Sequence, residues 1–395
     1  MQYKFPEGFI WGTSTAASQV ETASNHAWKG LKAKDGYTFL RTTDHEKRRA
    51  EDTEYICKLG NAYRLSLDWS RLQTAPNADF DIEVVKEYRD FLTDLKEKDI
   101  YIMLVAHHFT NPIWFDNAGH WWGNKAVEYF NNYVQQLVNN FGDLVSNWNT
   151  FNEPGVYLTN GFLAGNFPPL KKLSFRLMLK SLKNMAQANI DAVKIIKKNY
   201  PNTPIGISKN TVNFYGRNLL GKAPAALMNW FFNRYVAEKF IEPLDYFGIS
   251  YYARIGLDPA PVTMIDTPEK IKKLNLPHDG MWEYYPEAMG DFIRYFWKKY
   301  KKPFIITESG VCTEDSNFRI QSIKHYLGQL HDLINKEGID IKGYFHWSLM
   351  DNFEWNIGPT YRFGLVHVDF ENETFDRTMK PCGEFYEQVV QENGF

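Results

Sequence analysis

Cysteine is scarce in this 395-residue sequence. Cys57, Cys312 and Cys382 are odd in number and far apart, which argues against a disulfide framework and offers no metal-ligand spacing. Excess charge is lacking too: the formal net charge is -2, so neither nucleic acid nor an anionic membrane surface is an expected partner. No apolar run approaches the length of a membrane span. No Gly-rich phosphate loop follows the first predicted strand, which argues against an open dinucleotide-binding sheet. Met1 to Pro6 lead almost directly into that strand, leaving no room for a signal peptide. Together these absences predict a soluble, cytoplasmic protein in a reducing compartment.

What the sequence has in excess is aromatic side chains. They make up 16% of the residues, and twelve are Trp, more than core packing normally needs. Surplus Trp and Tyr either thicken a core or line a site that holds a flat or sugar-like ligand by stacking.

Their setting is a strict alternation of strand and helix patterns. Strands are predicted at Phe9 to Gln19, Ala62 to Leu67, Ile100 to Val105, Asn147 to Phe151, Ile205 to Ser208, Tyr246 to Tyr252, Phe304 to Thr307 and Ile341 to Trp347. Between them lie helical patterns: one capped by Thr43 or Asp44 and closed by a left-handed Gly60, then 82–98, 126–137, 177–196, 224–240, one opened by Pro286, and 320–334 closed by Gly338. A helix over 382–392 ends the series. A long irregular segment, 253–285, interrupts it. Eight βα units imply parallel strands with right-handed crossovers closed into one (β/α)8 TIM barrel, and with no linker or repeat the whole of 1–395 reads as a single domain.

Such barrels place their chemistry at the carboxyl-terminal ends of the strands. Reading those ends gives Gln19, Arg64, His108, Asn152 with Glu153, Tyr252, Glu308 and Trp347. Two of them are carboxylates with no structural excuse. Phe304-Ile305-Ile306-Thr307 is a buried strand that finishes on Glu308, and Asn147 to Asn152 finishes on Glu153 before Pro154 forbids further strand pairing. A pair of strand-end carboxylates is what acid/base and nucleophilic work on an acetal requires.

Longer motifs carry a resemblance. The stretches FIWGTSTAASQVE, TFNEP, ITESG and WSLMDNFEWNIGPTYRFGLVHVDF, in that order and nearly end to end, resemble glycoside hydrolase family 1, the β-glucosidase type. The resemblance implies a retaining β-glycosidase acting by double displacement on terminal non-reducing β-linked sugars. Glu308 would be the nucleophile and Glu153 the general acid, later base, their carboxyls roughly 5–5.5 Å apart. Gln19, His108, Asn152, Glu354 and Trp355 would hydrogen-bond the sugar, Trp347 would lie beneath its ring, and Phe363 would border the pocket. Arg64 and Tyr252 would support the nucleophile and lower its pKa, although Arg64 could instead pair with a structural carboxylate. His107 reads as a packed neighbour, and Trp282 as an aglycone platform or an ordinary loop-packing residue.

No metal or cofactor is expected, since acetal cleavage here runs on proton transfer and a carboxylate. The partners are small-molecule β-glycosides or short oligosaccharides, and the sequence is silent on oligomeric state. Galactosidase, fucosidase or mannosidase preference and transglycosylation compete with glucoside hydrolysis. A sugar-binding relative without activity is disfavoured because both glutamates are present, and a 6-phospho-glycosidase because Glu354 would repel a phosphate. Ser250 and Ser309 stand where the family commonly has Asn, Phe109-Thr110-Asn111 where it has Trp-Asp-Leu, and Asp68 where Ser or Glu is usual.

Overall fold

The alternating pattern closes on itself. A computed structural model describes residues 3–258 and 268–395. Its eight principal strands are β1 (Ile10–Ser14), β2 (Ala62–Ser66), β3 (Tyr101–His107), β4 (Asn147–Asn152), β5 (Ile205–Gly216), β6 (Phe247–Leu257), β7 (Phe304–Ser309) and β8 (Ile341–Trp347). Each pairs in parallel with the next, and β8 pairs with β1, so the sheet is a closed (β/α)8 barrel. Apolar residues on both faces of these strands serve two cores. Between barrel and helices packs one large cluster, while Ala62, Met103, Tyr246, Ile305 and Phe345 form a separate cluster. Glycine makes room in it, because a Cβ on Gly206 would meet the Tyr246 ring at 2.2 Å.

Several boundaries differ from the sequence reading. β1 stops at Ser14, and Gln19 sits in a short helical turn, Ala17–Val20. The first long helix begins at Arg49, not at 44, because Asp44 adopts a left-handed conformation and gives its carboxylate to Arg41 instead of capping. Gly60 is not a left-handed stop; it permits close approach, since a Cβ there would lie 2.5 Å from the Trp11 carbonyl. Gly338 does close its helix with a positive φ.

The largest difference lies at β5 and β6, which run to Gly216 and Leu257 and stay paired over that extension, with a register shift after Thr211. Their outer segments bury Val212, Phe214, Ala253 and Leu257 against Ala225 and Phe232 of the following helical segments. Part of the 253–285 segment is therefore strand, and a helix, Pro268–Lys273, lies further on; residues 259–267 lie outside the described ones. Between β8 and the last helix, Pro381–Glu392, an antiparallel pair, β9 (Val366–Val368) and β10 (Arg377–Met379), was not foreseen.

Candidate active site

Glu308 is built into the sheet before it can do chemistry. All six residues of β7 are buried, and a register shift that leaves Thr307 of β7 extra sets Glu308 opposite Ser250. Bulges of this kind re-aim side chains at strand ends. Arg64, in the middle of β2, donates to Glu308 Oε1 at 2.7 Å, and the Tyr252 hydroxyl donates to Oε2 at 2.7 Å. The same guanidinium donates to Ser14 Oγ at 2.9 Å and to Asn152 Oδ1 at 2.6 Å. A buried charge is tolerable only when so partnered. Burial nevertheless pushes the Glu308 carboxyl up, and Arg64 and Tyr252 only partly offset it. The sequence expectation of a lowered pKa thus has the right partners but omits the desolvation that outweighs them.

Glu153 arrives differently. It follows β4 in a left-handed conformation, φ 41° and ψ 56°, immediately before the helix Pro154–Thr159. Its N–H is anchored on the Ser208 carbonyl at 2.7 Å, and its carbonyl accepts from the Tyr157 N–H at 3.1 Å. Its Oε1 accepts from Asn210 Nδ2 at 3.0 Å. Burial and then the charge of Glu308 push its pKa up to about 8, with Asn210, Ser250 and Lys209 opposing. Two carboxyls of one site are thus differentiated. Glu308 has a guanidinium to stabilise its anion, whereas Glu153 has an anion to keep it protonated.

Around this pair the hydrogen bonds fix which atoms remain to offer. Asn152 spends its Oδ1 on Arg64, so its Nδ2 must donate to His108 Nε2, 2.9 Å away. Burial pushes His108 well below the usual imidazole range, so the ring is neutral with its proton on Nδ1. That Nδ1 is buried and has no hydrogen-bond partner among the described residues. Gln19 Nε2 donates to Asn352 Oδ1 (3.1 Å), the Phe353 carbonyl (3.0 Å) and Glu354 Oε2 (3.3 Å), which leaves its Oε1 equally buried and unpaired. Burial, then Glu308, pushes Glu354 up to about 8, with Gln19 and Trp347 opposing. One unpaired buried donor, one unpaired buried acceptor and a carboxyl hydrogen-bonded to Gln19 suit a polyhydroxylated ligand.

The aromatic residues frame these groups. The rings of Trp347 and Trp355 both lie 5.8 Å from His108. Phe363 is buried edge-on to Tyr252 at 6.0 Å, and Trp282 rests against Tyr252 at 5.8 Å and Phe363 at 6.2 Å. Trp282 is held there by Asp279, whose Oδ1 accepts its N–H at 2.7 Å. Every residue named from the strand ends and motifs is therefore linked to this one cluster. His107 points away, hydrogen-bonded to Asn111 at 3.0 Å and boxed by Trp121, Phe151 and Tyr157.

Sequence reasoning missed Asn210, Asn352 and the part played by Ser250. The Asn210 signal was available. It is a polar residue within β5, hidden because the sequence reading ends that strand at Ser208, two residues earlier.

Known proteins resemble this chain over nearly its whole length. The sequence model of glycosyl hydrolase family 1 matches residues 1–218 and 228–395. The chain is 30% identical to β-glucosidase A of Thermotoga maritima over 99% of its own length and 98% of that protein's. It is 29% identical to β-glucosidase A of Acetivibrio thermocellus, with 99% of each covered. The solved structure of the Thermotoga maritima β-glucosidase in complex with noeuromycin superposes with a TM-score of 0.90 at 29% identity, with all of both chains covered.

Proposed function

Because the chain belongs to glycosyl hydrolase family 1 and is thereby a retaining β-glycosidase, we propose that it releases glucose from small β-glucosides, with Glu308 as nucleophile and Glu153 as acid and then base. The observation that carries the assignment of roles is the asymmetry of the two carboxyls: a guanidinium, Arg64, and the Tyr252 hydroxyl bond Glu308, whereas Glu153 is bonded by the neutral amide of Asn210. Support for glucose as the sugar comes from relatives named β-glucosidase.

The Glu308 carboxylate attacks the anomeric carbon while the glycosidic bond breaks, and Glu153 passes its proton to the departing oxygen. Forming the ester consumes the charge of Glu308, which removes the repulsion that held Glu153 protonated. Glu153 becomes more acidic, and as an anion it takes a proton from the water that opens the ester. The free sugar keeps its β-configuration. His108 Nδ1–H, Gln19 Oε1 and Glu354 hold hydroxyls of the sugar, with Trp347 beneath its ring and Trp282 on the leaving-group side.

Turnover of the nitrophenyl β-glycosides of glucose, galactose, fucose, mannose and 6-phosphoglucose, measured side by side, tests this. The glucoside should give the highest kcat/KM and the phosphorylated sugar the lowest. A galactoside, fucoside or mannoside turned over faster would overturn the glucose assignment and leave the reaction type standing.

A further inference from the structure

Lys209 has no part in the mechanism above, and its placement is unusual. It is a lysine at 1% exposure, in the extension of β5, flanked by the two residues that hold Glu153. Ser208 offers its carbonyl to the Glu153 N–H at 2.7 Å, and Asn210 gives its side-chain amide to Glu153 Oε1 at 3.0 Å. The Lys209 amine donates to the backbone carbonyl of Asn210 and lies 4.5 Å from the centre of the Phe232 ring. That ring packs in turn against Gly155, two residues beyond Glu153. No carboxylate among the described residues makes an ion pair with the amine. A buried ammonium held by one carbonyl and one aromatic face, without a counter-ion in contact, is costly to keep for packing alone.

We propose that Lys209 is a positioning residue for the acid/base, bracing β5 at Asn210 and presenting a positive charge that eases proton release from Glu153. The inference rests on the acid/base role of Glu153 proposed above. The charged and titratable groups facing Glu153 are few. Glu308 comes from β7 and Tyr252 from β6; Arg64 of β2 is engaged by Glu308, and β5 supplies Lys209. The helical segment packed on Lys209 sets the apolar ring of Phe232 against its amine. Burial disfavours the charged form of the Lys209 amine, and the charge of Glu153 acts against that. The two groups are thus reciprocally linked. When Glu153 gives up its proton to the leaving group, its new anion favours the charged form of Lys209, and that cation in turn stabilises the anion. Lys209 neither gives a proton to the substrate nor takes one from it.

The test is the pH dependence of kcat/KM for nitrophenyl β-glucoside in the wild type, Lys209→Met and Lys209→Arg, alongside their melting temperatures. The basic limb reports the acid of the free enzyme. Without the cation, Lys209→Met should hold the Glu153 proton to higher pH, moving that limb up by roughly half a unit or more, while Lys209→Arg keeps it at the wild-type position. A folded Lys209→Met protein whose basic limb is unmoved, or moved down, overturns the proposal. So does a Lys209→Met protein that fails to fold, because the lysine would then belong to the architecture. The Glu153→Ala experiment described below decides separately whether Glu153 is the acid/base, so failure of the lysine reading and failure of the glutamate reading are distinguishable.

Discussion

Arg64 and Glu308 meet at 2.7 Å across the barrel, the arginine side chain fully buried and the glutamate side chain 4% exposed. A carboxylate in that position depends on its cation for its charge. Removing the cation should therefore be read first in pH. Arg64→Met should move the acidic limb of kcat/KM upward by about one to three pH units, the range an opposite charge at contact distance commonly supplies. The sign follows from the cause: Arg64 lowers the proton affinity of Glu308, so its loss raises it, and a higher pH is then needed to form the nucleophile. An unmoved acidic limb would show that Arg64 serves the fold alone.

Glu308→Gly should lose at least about a thousandfold in activity. Azide should restore turnover of an activated glycoside by attacking from the vacated face, giving the α-glycosyl azide, identified by proton NMR. A glycine variant that keeps its activity would unseat Glu308 as nucleophile.

Glu153→Ala should discriminate between leaving groups. Dinitrophenolate departs without help, so glycosylation with that substrate should change little, whereas cellobiose hydrolysis should nearly stop. Slow deglycosylation should then appear as a burst of phenol followed by a slow steady rate. Azide needs no base and should accelerate that rate, yielding the β-glycosyl azide. Equal losses on both substrates, with no burst, would leave Glu153 only a structural part.

A stability prediction comes from the far side of the first long helix. Asp52 is fully buried between Arg377, at 2.9 and 3.0 Å, and His45, at 2.7 Å. Burial pushes its carboxyl up, but His45 and Arg377 outweigh that and hold it below the ordinary range. Asp52→Ala strands a buried guanidinium and should cost about 3–5 kcal/mol in denaturant unfolding. Because the folded pKa is depressed, the stabilisation is fully present above the unfolded value of about 3.9 and fades as pH falls through the folded one. The variant should accordingly lose its deficit relative to wild type in acid, and a deficit independent of pH would refute the ionic origin.

The fold was legible because eight apolar strand patterns alternated with helical ones, and the proposed catalytic pair because Glu308 and Glu153 end apolar strands where nothing structural asks for charge. Asn210 was not legible. Lys209-Asn210 interrupts the apolar run of β5, and two polar residues in sequence look like the start of a loop until the packing of Phe232 and Gly155 shows the lysine buried. The Asp44 misreading has a similar origin. A capping residue and a residue held by a neighbouring arginine are identical on paper, and only the position of Arg41 separates them. The partners of Glu308 could be named from sequence, but the desolvation that outweighs them could not, because it depends on everything packed around the site.

The left-handed backbone of Glu153 has one more consequence. A glutamate at φ 41° sits in a region that costs an ordinary side chain about 1–3 kcal/mol, and its carboxyl is buried beside another. Asparagine occupies that region with less strain and carries no charge to bury. The barrel is therefore held slightly short of its most stable form by the residue proposed as its acid/base. A folded, inert and more heat-resistant protein is one substitution away, at Glu153→Asn.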